Sequence, residues 1–446
     1  MKKHVSITDG PIIRPLLYFF FPILFGTFFQ QLYNTVDALV VGNILGKEAL
    51  AAVGGTTAVY TNIFVGFFVG LSSGSAVLIA QYYGSRDIDG IRKTVHSSIA
   101  ISIILGVGLS LFGILSARTC LSLLGVPPEI LELATSYTRI FFLGLTFLLI
   151  YNMGCAILRA IGDSKRPLYY LIISCIVNII LDVYFVAFLH MGIEGAAYAT
   201  IIAEGVAAAL VMLSLMVSDS AIKLYIKDIK LDIETAKNIV RIGLPAGIQS
   251  ILYSISNLII STRINGLGVD TIAADTAYAK IDSVYWMINQ ALGISITTFV
   301  GQNFGARKFD RIKKGINRWL LLGIGVAMTS STIFLVFAPN FLAIFNQDPN
   351  VIAIGTKILF LLAPFWCTYV PVEILAGALR GMGDANIPTI ITALGIVVIR
   401  FIWLMMFESY SLERIMVIYP ITWIITGTAF LVYYYSGLYK KSIKKF

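Results

Sequence analysis

Leu158-Arg159-Ala160-Ile161-Gly162-Asp163 and Leu379-Arg380-Gly381-Met382-Gly383-Asp384 are one turn written twice, 221 residues apart. The same interval separates Gln81-Tyr82-Tyr83-Gly84-Ser85-Arg86 from Gln302-Asn303-Phe304-Gly305-Ala306-Arg307, Pro128 from Pro349, and Pro167 from Pro388. Coincidences at a single spacing mark an internal duplication. Two homologous halves in one membrane chain point to a pathway built between them, so transport leads the functional readings.

Composition places the chain in a membrane. Hydrophobic residues make up 58% of it and charged residues 13%, against about 25% charged in a soluble domain. Lipid can solvate such an outer surface where water cannot. Apolar stretches long enough to cross about 30 Å of hydrocarbon fall at 15–42, 52–82, 95–117, 134–158, 167–189 and 192–217. A second set follows at 238–264, 272–303, 317–342, 353–378, 388–408 and 413–436. The first stretch is too long for a signal-peptide core and is expected to stay in the mature protein. The predicted fold is an all-α polytopic membrane protein of twelve transmembrane helices, in two parallel six-helix lobes with pseudo-two-fold symmetry along the membrane normal. Residues 1–217 form the N-lobe and 238–446 the C-lobe, with a basic linker over 218–237 on the cytoplasmic membrane surface.

The basic residues set the orientation. The two tails and the segments near 83–93, 159–166, 218–241, 305–318 and 380–387 carry about 25 of the 33 Lys and Arg. Under the positive-inside rule both termini face the cytoplasm, and a central cleft is expected between the lobes. The net charge of +9 therefore reports membrane orientation, and no nucleic-acid partner is expected. Cys155, Cys175 and Cys367 sit in apolar stretches as packing residues. His4, His96 and His190 are scattered without metal-ligand spacing.

Ionisable groups within spans are costly and are functional candidates by default. Asp37 lies about 8 Å inside Gly42 on the first span. Asp182 stands one turn after Asn178 on the fifth, about 12 Å from the outer end. Thr200 on the sixth lies at a similar depth, with Glu204 one turn deeper. Two carboxylates, an amide and a hydroxyl are hard oxygen ligands suited to H⁺ or Na⁺, and a pair such as Asp37 and Asp182 holds a proton that a lone exposed Asp releases. A merely structural role, capping or bonding a neighbouring helix, is the alternative; for Thr200 it is a bond to its own backbone.

The second half does not repeat this layer, because Trp403 and Ile399 stand where Asp182 and Asn178 would recur. Asn152 maps instead to Glu373, which serves as a second proton site, attracts a cationic substrate, or is neutralised by Arg400. Lys280 and Asp282 read as a local pair or a lobe-interface contact. Gly66, Gly70 and Gly74 give a small-residue face for close helix contact. Pro22 and Pro245 interrupt the first and seventh spans at corresponding places and are candidate hinges.

These residues carry a family likeness over essentially the whole chain. The two parallel repeats, the Leu158–Asp163 and Leu379–Asp384 turns and the Gln-x-x-Gly-x-Arg turns resemble the multidrug and toxic compound extrusion (MATE) transporters. Asp37 and Asn178-x-x-x-Asp182 look like the DinF-like branch. There the resemblance implies a cation site, possible for Na⁺, at Asp37, Asn178, Asp182 and Thr200, with Asn152 completing the network. Glu204 has no assigned counterpart. The NorM-like branch has an acidic residue on the seventh span, where this chain has only Gln249 and Asn257, and an Asp on the tenth, about one and a half turns from Glu373; a second cation site of that kind is in doubt.

The resemblance implies secondary active efflux of amphipathic or cationic compounds by H⁺ or Na⁺ antiport and alternating access. The expected setting is a bacterial or archaeal plasma membrane, with no cofactor beyond the coupling ion and the chain acting as a monomer. The competing reading is a flippase for lipid-linked oligosaccharide or peptidoglycan precursors, which needs a basic cavity for pyrophosphate; here the basic residues gather at the rim. No catalytic constellation supports an enzyme.

Overall fold

The computed structural model describes residues 7–406 and 411–443; His4 and part of the last outer loop lie outside them. Among the described residues eleven helices are long and apolar enough to cross a membrane. They run Ile13–Leu45, Glu48–Ser85, Ile88–Leu123, Pro128–Ala160, Lys165–Phe188 and Gly192–Met216, then Ile233–Asn265, Phe309–Val336, Pro349–Gly381, Asn386–Met405 and Leu412–Tyr435. The remaining span, the eighth in chain order, is the 37-residue helix Val269–Gly305. Asp270, Asp275, Lys280 and Asp282 make its first half less apolar than the others. The architecture is all-α, with twelve spans. The ninth span ends at Val336, and a separate short helix, Ala338–Ala343, takes up the rest of the stretch expected to run to 342.

The repeated motifs adopt repeated backbones. Gly162 and Gly383 both have φ +93°, a left-handed conformation that favours glycine and stops a helix. Arg86 and Arg307, which close the two Gln-x-x-Gly-x-Arg turns, are both left-handed at φ 61° and 56°. Pro128 and Pro349 each open a helix, where the missing N–H costs nothing. Asp163 accepts from the backbone N–H groups of Lys165 and Arg166 and pairs with the Arg166 side chain. Asp384 accepts from the Ile387 N–H and the Tyr433 hydroxyl. These two aspartates are turn-builders.

The chain divides into two compact units, Phe21–Gly247 and Met1–Phe20 with Ile248–Phe446. The changeovers fall within two residues of Pro22 and within three of Pro245, both inside continuous helices. In the Phe21–Gly247 unit the small-residue face of the second span meets the start of the seventh. A Cβ on Gly70 would lie 2.3 Å from the Gly247 nitrogen, and one on Gly74 would lie 2.2 Å from the Ile239 carbonyl oxygen. Backbone therefore rests on backbone.

The segment after the sixth span packs into the same unit. Ile222 and Leu224 join a core with Ile79, Val95, Ile157 and Val211, and burying each stabilises by about 1.5–3 kcal/mol. The Tyr225 N–H donates to His96 Nε2, and Arg92 and Lys223 lie over the Tyr225 ring. Asp232 accepts from the Thr235 N–H at the head of the seventh helix, which holds its carboxyl below the usual range. Ile222 and Leu224 of the basic linker thus face protein, while Ile226, Leu231 and Ile233 stay exposed.

In the other unit Phe20 packs edge-on against Trp319 at 5.9 Å. The arm before the first span is clamped by Arg311, which donates to the carbonyls of Ile7, Asp9, Gly10 and Pro11, while Lys308 pairs with Asp9. Arg311→Ala removes five hydrogen bonds from this arm. Proteinase K should then cleave within residues 7–12 several-fold faster in detergent, because local opening rather than global unfolding exposes that segment. An unchanged cleavage rate would show that the clamp holds nothing.

Candidate functional site

The first, fourth, fifth and sixth spans of the Phe21–Gly247 unit bring polar side chains into one apolar interior. Asp182 and Asn178 are fully buried and Asp37 is 9% exposed. The Asp37 and Asp182 carboxyl groups adjoin, with Asn178 beside Asp182. Tyr137 on the fourth span faces both acids. The Tyr33 hydroxyl, one turn before Asp37, has Thr200, Glu204, Asp37 and Tyr137 as its polar neighbours.

The cluster is short of hydrogen bonds. Tyr33 Oη, Asp37 Oδ1, both Asn178 amide atoms, both Asp182 oxygens and Glu204 Oε2 are buried without a partner among the described residues. Buried polar atoms are nearly always paired, and orphaned carboxylate oxygens are the costliest exceptions. Seven such atoms fall in this one cluster. Helix geometry contributes, since wide π-helical turns begin at Val183, next to Asp182, and at Val41, one turn after Asp37. Such turns recur at functional sites.

Other sequence candidates stand differently. Thr200 donates to its own helix carbonyl at Ala196, 3.0 Å away, which leaves its lone pairs toward Tyr33. Asn152 donates to Leu148 O at 2.9 Å, and among the described residues no side-chain hydrogen bond ties it to the cluster. Tyr33 and Tyr137 adjoin the acids although they are not among the sequence candidates; the one-turn spacing of Tyr33 from Asp37 was the available signal.

The second unit holds a separate polar network. Glu373 faces Arg380 at 3.9 Å, one repeat motif away, and not Arg400. Its carboxylate lies over Gly293, where a Cβ would come within 2.2 Å of Oε1. Arg380 also donates to Gln249 Oε1, and Gln249 Nε2 donates to Thr392. Neutralisation of Glu373 by Arg400 is therefore corrected: the neighbour along its own helix reaches it first. Lys280 and Asp282 do not pair either. Lys280 is exposed, and Asp282 accepts instead from Trp286 Nε1 at 2.6 Å, since residues four apart on a helix face each other and residues two apart do not.

The MatE family model matches this chain twice, over residues 22–184 and 245–405. The chain belongs to the MatE family. Each match covers most of one sequence repeat, so the duplication read from the turns is the family's own. Among relatives of MatE proteins, the probable multidrug resistance proteins YoeA and YpnP of Bacillus subtilis are 28% and 26% identical to it. The YoeA match covers 96% of this chain and 94% of the relative, and the YpnP match 98% of each. A solved structure of a multidrug resistance MATE family transporter in an outward-facing conformation superimposes with a TM-score of 0.89 at 24% identity, over the full length of both chains. This MatE chain therefore shares a twelve-span transporter fold and is no enzyme.

Proposed function

We propose that the chain exports amphipathic or cationic organic compounds from the cytoplasm by alternating access, in exchange for H⁺ or Na⁺ bound at Asp37 and Asp182. The observation that carries this reading is the adjoining pair of buried carboxyl groups with unpartnered oxygens. Two carboxylates side by side repel each other, and a cation among them removes the repulsion. Asn178 and Thr200 offer neutral oxygens to the same ion, and Tyr33 links the pair to Glu204. The names of the Bacillus relatives support multidrug substrates. The protein would sit in the plasma membrane with both termini cytoplasmic, Pro22 and Pro245 acting as hinges.

Drug efflux from proteoliposomes under separately imposed Na⁺ and proton gradients tests the coupling. One gradient should drive accumulation several-fold above the other; equal transport with neither imposed would refute antiport. Glu373→Gln should leave the ion dependence of transport unchanged within about two-fold, because Arg380 already faces that carboxylate. Loss of coupling in this variant would move the ion site to the second unit.

A further inference from the structure

Arg400 is a buried charged group of the second unit that lies outside the proposed ion site. It lies on the eleventh span directly after the π-helical turn Ala393–Val398 and is 3% exposed. Its guanidinium lies over the Tyr419 ring, with Cζ 4.3 Å from the centroid. Nε donates to Thr422 Oγ1 at 3.3 Å, and Nη1 to Asn257 Oδ1 at 3.2 Å and Ser256 Oγ at 3.4 Å. Nη2 donates to nothing among the described residues.

Among the described residues no carboxylate pairs with this cation. Of the described interior acids of its unit, Glu373 stands opposite Arg380 and Asp282 on Trp286, while Asp275, on the Tyr419 side, makes no ion pair with Arg400. The ionisable groups around Arg400 are the phenols of Tyr253, Tyr369 and Tyr419. Its bonds, 3.2–3.4 Å, all go to neutral oxygens, and none is the short, two-pronged N⁺–H···O⁻ pair of about 2.7–2.9 Å that a guanidinium makes with a carboxylate. A buried cation without a counter-ion is expensive, and within a span it calls for a partner that arrives from outside.

We infer that Arg400 binds the carboxylate of a transported compound, so that the chain takes amphoteric aromatic substrates in preference to purely cationic ones. The free Nη2 edge supplies donors for the carboxylate. Asn257, Ser256 and Thr422 hold the fork in place, and the ring of Tyr419 fixes its plane. This rests on the export function proposed above and narrows its substrate class.

Rhodamine B, which carries a free carboxylate and a cationic xanthene, and its ethyl ester, which is only cationic, form a matched pair. Binding of each to the purified full chain in detergent is read by fluorescence anisotropy. The wild type should bind the acid at least about ten-fold more tightly than the ester. Arg400→Gln should erase that preference while holding the ester within about two-fold. Arg400→Lys should restore only part of it, because an ammonium lacks the planar fork. A preference that survives Arg400→Gln overturns the inference. So does a wild type that binds the ester as well as the acid, and this arm needs no variant to fold. Binding of the ester without the acid sinks this inference alone; binding of neither sinks the export reading with it.

Discussion

Asp37→Asn should reduce gradient-driven efflux to the protein-free baseline while raising the melting temperature in detergent. The side chain keeps its size and loses its charge. A cation about 4 Å from a carboxylate gains about 4 kcal/mol at an effective dielectric constant of 20, so deleting one acid weakens ion binding by roughly a thousand-fold. Swinging a two-state equilibrium from one side to the other takes about 5.5 kcal/mol of differential affinity, and most of that is gone. Stability moves the opposite way. Asp37 and Asp182 adjoin with orphaned oxygens, and removing one such charge relieves a repulsion that no donor in the fold offsets. Lost transport with gained stability separates a functional defect from misfolding. Asp182→Asn should do the same, and the double variant should be no worse than either single one, since both acids serve one ion. Efflux above half the wild-type rate in Asp37→Asn would end the proposal.

How far the sequence could be read varies with the physics involved. Span positions follow from apolar length, and the repeat follows from turns that need a left-handed residue at fixed places, as Gly162 and Gly383 show. Both are local properties. The meeting of Asp37 with Asp182 was also legible, because comparable depth on two spans of one repeat brings side chains to one layer of the membrane. Partner choice was less so. Glu373 has Arg380 seven residues along the same helix and Arg400 on another, and only the packed rotamers decide between them. Tyr33 and Tyr137 were hidden by their abundance: with 22 tyrosines in the chain, a phenol signals nothing until the fold shows which ones face a carboxylate. Ile222 and Leu224 lie in a segment whose lysines suggest a membrane surface, and the hydrophobic core beneath them becomes visible only in three dimensions.

Gly74→Val and Gly243→Val should each lower the melting temperature in detergent by about 5–10 °C and abolish transport. Where the second span crosses the seventh, a Cβ on Gly74 would lie 2.2 Å from the Ile239 carbonyl oxygen, and one on Gly243 would lie 2.4 Å from the Leu71 carbonyl oxygen. Both obstacles are backbone, so no side-chain rotation relieves the clash and the helices must separate. Overpacking a core that can adjust costs about 1–3 kcal/mol; here the adjustment is a shift of a whole helix, which places these variants at or above the top of that range. Between membrane helices lipid is as apolar as the partner, so close packing itself supplies the attraction, and a widened seam forfeits it. Pro245 stands two residues past Gly243, so the same wedge would also hold the helix away from the place where it is proposed to bend. Gly108 and Gly325 provide the control, since a Cβ at either meets nothing within 4 Å. Gly108→Val and Gly325→Val carry the same loss of helix flexibility and the same added volume, yet should melt within about 2 °C of wild type. Equal destabilisation of seam and control variants would mean that glycine supports the backbone in general and that close contact at this crossing contributes little.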